Sequence, residues 1–161
     1  MNELSLPPDT TVASPSASAC RASSRLGRAA GRTISESGLT PAGYRLLGHL
    51  ESGGDSAATE LAQKLRVSKP AVTATIDWLE LRGLVVRSSD PRDGRRVKVA
   101  STASGREALR RADGAVAARL SEILSHLSTE RHSRVLEALE YLSDALDADR
   151  RQRIARAEAT T

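Results

Sequence analysis

The sequence predicts a mainly α fold carrying one small β-hairpin, with further helices at both ends. Three observations carry that expectation. Apolar residues make up 39% of the chain, but Phe is absent and the aromatics are Trp78, Tyr44 and Tyr141, so burial falls to Leu, Val, Ile and Ala, a mix that favours helices. Two apolar-periodic segments open on a capping residue closely followed by proline, at Thr40-Pro41 and Ser68-Lys69-Pro70. Behind them, Leu84 to Arg87 and Val97 to Ala100 read as strands around the turn-forming Asp90-Pro91-Arg92-Asp93-Gly94.

Taken in order, residues 1–19 are rich in Ser, Pro, Thr and Ala without apolar periodicity and are expected to be a flexible tail. From Cys20 to about Ser35 the pattern becomes helical, with Leu26, Ala29, Ala30 and Ile34 near one face and Arg21, Arg25, Arg28 and Arg32 on another. This N-terminal helical region is assigned to 20–37. A central domain is assigned to 38–102. In it Thr40 supplies an N-cap oxygen and Pro41 fills the first helical position, where a missing N–H costs nothing. Leu46, Leu47 and Leu50 give that helix its apolar face, and Gly53-Gly54 stop it. A short helix from Ala57 to Leu65 presents Leu61, Ala62 and Leu65. After the turn at Val67-Ser68, Ser68 caps a helix from Lys69 to Arg82 that Gly83 ends. Val72, Thr75, Ile76 and Leu79 fall within one arc of roughly 100°, and Pro70, Thr73, Ala74 and Asp77 occupy the far side.

The region 103–161 opens on Thr102 as an N-cap. Leu109, Ala112, Val116, Leu120, Ile123 and Leu127 repeat at three- and four-residue steps, and Val135, Leu139, Leu142 and Leu146 form a second stripe. Two such helices alone bury too little surface, and a lone small domain would leave them exposed, so they are expected to pair with a second copy of the chain. Cations from Arg150 to Arg156 suit a helix C-terminus.

Charge is unevenly placed. The chain carries a formal +4, and residues 58–102 account for it, with nine Lys or Arg against five acids, whereas 103–161 holds ten of each sign. A polyanion-binding surface in the middle third is the simplest reading. The single cysteine, Cys20, excludes a disulfide framework within the chain and lacks metal-ligand spacing. His49, His126 and His132 form no ligand pair, so a surface or interface role is expected of them, with no metal and no cofactor. Neither a signal peptide nor a membrane span is legible, and a reducing, cytoplasmic setting follows. The chain shows no Ser/His/Asp or Cys/His set and no Gly-rich phosphate loop, which argues against an enzyme.

Two short helices, a tight turn and a hairpin make a winged helix-turn-helix, here with N- and C-terminal dimerisation helices. Its second helix fits the major groove, about 12 Å wide, and offers a duplex Ser68, Lys69, Pro70, Ala71, Thr73 and Ala74. The N-terminal backbone N–H groups of that helix favour phosphate, helped by the Ser68 hydroxyl and the Lys69 ammonium. The wing brings Arg92, Arg95 and Arg96 to the backbone or the minor groove. Asp90 and Asp93 would repel phosphate if bare, and are read as fixing those arginines and capping the turn.

The stretch from Leu39 to Gly105 resembles the multiple antibiotic resistance regulator (MarR) family. The matching pieces are Gly38-Leu39-Thr40, Thr59-Glu60-Leu61-Ala62, Val67 to Thr73, Asp77-x-Leu79-Glu80-x-x-Gly83-Leu84-Val85, the wing Asp90 to Val97, and Thr102-x-x-Gly105. The resemblance implies a dimeric regulator, expected to act as a repressor, that places two winged domains of double-stranded-DNA-binding type on a pseudo-palindromic operator. It also implies release by a small aromatic or phenolic effector, whose site no motif marks. The sequence departs from the family at Ala74, where many members carry an Arg that contacts DNA, at Trp78, where a charge is common, and at Ser101, where Leu is usual. The Ala74 departure implies weaker or different direct readout, with more left to Lys69, Thr73 and the wing. Some members sense oxidants through a first-helix cysteine; Cys20 has Arg21 and Arg25 nearby to favour thiolate, but no tyrosine in its segment to support it. Trp78 is expected to pack against the wing or the preceding helix rather than stack on a base, and Tyr44 either packs or lines an effector pocket. The alternatives to a sequence-specific regulator are a winged-helix protein-interaction module and a non-specific DNA-compacting protein.

Overall fold

A computed structural model describes residues 15–90 and 93–158. Its elements run α1 (Pro15–Glu36), α2 (Pro41–Gly53), β1 (Ser56–Ala57), α3 (Ala58–Leu65), α4 (Lys69–Leu81), β2 (Val85–Asp90), β3 (Asp93–Ser101), α5 (Ala103–Leu124) and α6 (Thr129–Glu158). The predicted mainly α fold with a hairpin wing is what forms. Two compact units divide the chain, one up to Val116 and the other from Ala117 on.

In the first unit the caps fall where the sequence puts them. Thr40 Oγ1 accepts from the Gly43 N–H at 3.0 Å, and Ser68 Oγ accepts from the Ala71 N–H at 3.4 Å. Each satisfies one of the donors that a helix start leaves without a partner. Gly83 takes a φ of 67°, a left-handed turn that costs glycine little, and the Leu84 N–H returns to the Leu79 carbonyl at 2.9 Å. Leu46 and Leu47 of α2, Leu61 of α3, Val72, Ile76 and Leu79 of α4 and Val99 of β3 are sealed from solvent and make the centre of the core. Ala108, Leu109 and Ala112 bring the first half of α5 onto it. The i, i+4, i+7 spacing of Val72, Ile76 and Leu79 is therefore what turns the opposite face of α4 outward.

Several boundaries differ from expectation. The first helix begins at Pro15, inside the stretch read as a tail, because proline suits a first helical turn and the Ser and Ala that follow tolerate helix. Strand β1 was not expected: it is two residues long, and its ladder to β3 (Ser56 opposite Val99, Ala57 opposite Lys98) is made by backbone, which leaves little side-chain signature. The sheet order is β1-β3-β2. The hairpin strands run past their apolar cores to Asp90 and Asp93, which face one another after a register shift at Ser89. Backbone pairing needs no burial, so the ladder outlasts the valines.

In the second unit α5 ends at Leu124, and the Leu127 N–H bonds back to the Leu124 carbonyl at 2.9 Å in a tight turn. Leu124 is buried and Leu127 is exposed, so the stripe closes one step earlier than its spacing suggests. Along α6 Val135 and Leu139 are half-buried, while Leu136 is 41%, Tyr141 64%, Leu142 44% and Leu146 61% exposed.

Candidate nucleic-acid interface

The sequence-predicted reading residues come together on one face. Ser68, Lys69, Pro70, Ala71, Thr73 and Ala74 are all exposed over the first half of α4, with Asp77 farther along the same arc. Thr75, expected on the inner arc, is half-buried, and its hydroxyl donates to the Ala71 carbonyl at 2.8 Å. Arg92 lies outside the described residues, as do the side chains of Asp90, Asp93, Arg95 and Arg96.

A charge cluster that sequence reasoning missed joins α4 to the wing. Arg87, on β2, donates to Asp77 at 2.5 Å and also to Glu80. Its guanidinium is held further above its ordinary range, first by the hydrogen bond to Asp77 and also by the charges of both carboxylates, against a partial loss of hydration. Asp77 and Glu80 stand three residues apart on α4, so one fork spans both. The bridge ties the first wing strand to α4 and compensates the Asp77 carboxylate on the exposed face of that helix. The available signal was the pair of acids on α4 followed by a lone arginine in the next strand.

Trp78 is partly buried against the core, and a Cβ built at Gly43 would stand 3.5 Å from its ring, so it packs on α2. The Arg82 guanidinium covers the ring at 4.7 Å from its centroid, a cation–π contact. At the helix-turn-helix turn Arg66 holds a φ of 54° and is exposed, so a cation that sequence reasoning did not single out stands just before the Ser68 cap.

Tyr44 packs on the core from α2 and donates its hydroxyl to Asp113 of α5 at 2.6 Å. That hydrogen bond, then burial, pushes its phenol up to about 12. A raised phenol favours the folded state while neutral: the contribution is complete below the ordinary value near 10 and is lost as pH climbs from there through about 12. A spectrophotometric titration is expected to show a phenol ionising near 12 that disappears in Tyr44→Phe; loss instead of a phenol ionising near its ordinary value of 10 would refute the Asp113 pairing.

Between α2 and α4, Ala42, Arg45, Val67, Ala71 and Thr75 line a crevice of about 40 Å³. A cavity that holds a benzene ring is about 150 Å³, so this one is too small for an aromatic effector. Cys20 is exposed, and among the described residues no three potential metal ligands converge. No helix among them is long and apolar enough to cross a membrane.

Comparison with known proteins places this geometry. The MarR family profile matches residues 37–96. An uncharacterised HTH-type transcriptional regulator of Bacillus subtilis, YkoM, is 30% identical over 108 residues, 67% of this chain and 70% of that protein. The HTH-type transcriptional repressor MdtR of the same organism is 26% identical over 124 residues, 77% of this chain and 80% of that one. The structure of the transcriptional repressor CouR bound to a 23-mer DNA duplex aligns with a TM-score of 0.64 at 29% identity, covering 80% of this chain and 92% of the other.

Proposed function

Because this chain belongs to the MarR family of DNA-binding transcriptional regulators, we propose that it is a cytoplasmic repressor that holds a pseudo-palindromic operator as a homodimer. The observation that carries this reading is the exposed N-terminal half of α4, where capped backbone N–H groups, Lys69 and a core-anchored helix axis leave one face for the groove. Residues 38–102 are the reading domain, with Arg92, Arg95 and Arg96 as the wing's phosphate contacts and Asp90 and Asp93 as their intramolecular supports. Residues 20–37 and 103–161 supply the dimer contacts, and two-fold symmetry sets the half-sites about 34 Å apart. Repression is favoured by the relatives MdtR and CouR, both described as repressors. A small aromatic or phenolic acid is the proposed releasing effector.

Footprinting on the DNA flanking the protein's own gene, repeated with phenolic acids and with peroxide, tests the reading directly. Protection of two half-sites one turn apart is expected. Equal affinity for that DNA and for random duplex would overturn it.

The exposed leucines of α6 support the dimer. Leu142→Asp with Leu146→Asp is expected to convert the dimer to monomer in size-exclusion chromatography with light scattering, and to lower operator affinity at least about tenfold as one half-site is lost. An undiminished dimer mass would exclude this seam.

A further inference from the structure

Resting on the placement of α4 in the major groove, we propose that this helix reads thymine methyl groups, so that each half-site carries adjacent thymines where the helix meets base edges. Beyond the phosphate-directed Lys69, the outward face of α4 has no long donor fork. Pro70, Ala71 and Ala74 offer only carbon, and all three are exposed, as is Thr73. The nearby polar groups are engaged: Ser68 Oγ caps the Ala71 N–H at 3.4 Å, Thr75 Oγ1 bonds the Ala71 carbonyl at 2.8 Å, and Asp77 is held by Arg87 at 2.5 Å.

Strong readout of guanine or adenine uses a bidentate Arg, Lys, Asn or Gln, which Pro70, Ala71, Thr73 and Ala74 do not supply. What they do supply is aliphatic surface, and among the four bases only thymine presents a methyl group in the major groove. The short side chains also let the helix backbone approach the base edges closely. Thr73 matches thymine twice, because its methyl can meet the base methyl while its hydroxyl donates to the neighbouring O4. Arg at position 74 would put a guanidinium where this contact is made, so Ala74 is the specificity-determining position.

The test selects duplexes of about 24 base pairs, room for two half-sites one turn apart, from a random library with the full-length protein. The selected duplex is then resynthesised with deoxyuridine replacing one half-site thymine at a time, which removes the methyl and nothing else. Each contacted thymine is expected to lose about fourfold in affinity, the equivalent of burying one methyl group. Ala74→Arg is expected to abolish that discrimination at one position and to select guanine there. Unchanged binding of the uracil duplexes, with a high preference over random DNA retained, would overturn the methyl reading and leave the regulator standing. A preference near one would overturn both.

Discussion

Gly105→Ala is expected to destabilise the protein by about 3 kcal/mol, at the upper end of what overpacking costs, and to lower the thermal midpoint by roughly 10 °C. A Cβ on Gly105 would stand 2.0 Å from the Leu84 carbonyl oxygen and 2.8 Å from Ser101 Oγ. The clash is with backbone, which cannot rotate away. That carbonyl accepts from the Thr102 N–H at 3.1 Å, while Thr102 Oγ1 accepts from the Gly105 N–H at 3.0 Å and donates to the Gly83 carbonyl at 2.8 Å. Relieving the clash therefore breaks the cap that starts α5 and the turn that ends α4 together. Gly114→Ala on the same helix is the control, since a Cβ there meets nothing within 4 Å. Removing glycine from a helix interior is worth about 0.5–1 kcal/mol, so Gly114→Ala should be stabilising. Urea denaturation of the two variants should move the midpoint in opposite directions, and a Gly105→Ala protein within about 1 kcal/mol of the parent, the spread of ordinary substitutions, would show that the junction yields.

Lys69→Ala and Arg95→Ala are each expected to weaken operator binding on the order of tenfold at physiological salt, the scale set by removing one phosphate-binding cation from each subunit. The salt dependence is the sharper readout. Each neutralised phosphate contributes about 0.9 to the slope of log affinity against log salt, so either variant should flatten it by about 1.8 per dimer. A weaker affinity at constant slope would assign the residue a structural role instead. Lys69 is exposed at the first position of α4, beside the Ser68 cap. The Arg95 expectation rests on its place in β3 next to the hairpin end. Fluorescence anisotropy across a salt series measures both affinity and slope, and variants matching the parent in both would refute the proposed interface.

Much of the reading domain was legible because its signals are local. Thr40-Pro41, Ser68 and Gly83 announce helix ends through their own backbone chemistry, and Val72, Ile76 and Leu79 announce a buried face by spacing alone. The exposed face of α4 followed as the complement of that buried arc. What escaped is non-local or carried by backbone. The Arg87 bridge reaches back ten positions to Asp77, and nothing in the strand distinguishes that arginine from one aimed at phosphate. The two-residue β1 pairs through main chain. The physical meaning of Thr102-x-x-Gly105 depends on a carbonyl from the preceding turn. The start of α1 did have a signal, because Ser14-Pro15 repeats the Thr40-Pro41 pattern, but serine-rich composition outweighed it.

Trp78 is the single tryptophan of the chain, and it sits on α4 itself, between α2 and the Arg82 guanidinium. Its ultraviolet emission is thus a label already installed at one helix junction. Fluorescence excited at the indole follows the seating of α4 and the unfolding of the first unit without an added dye, because the second unit, from Ala117 on, holds no tryptophan.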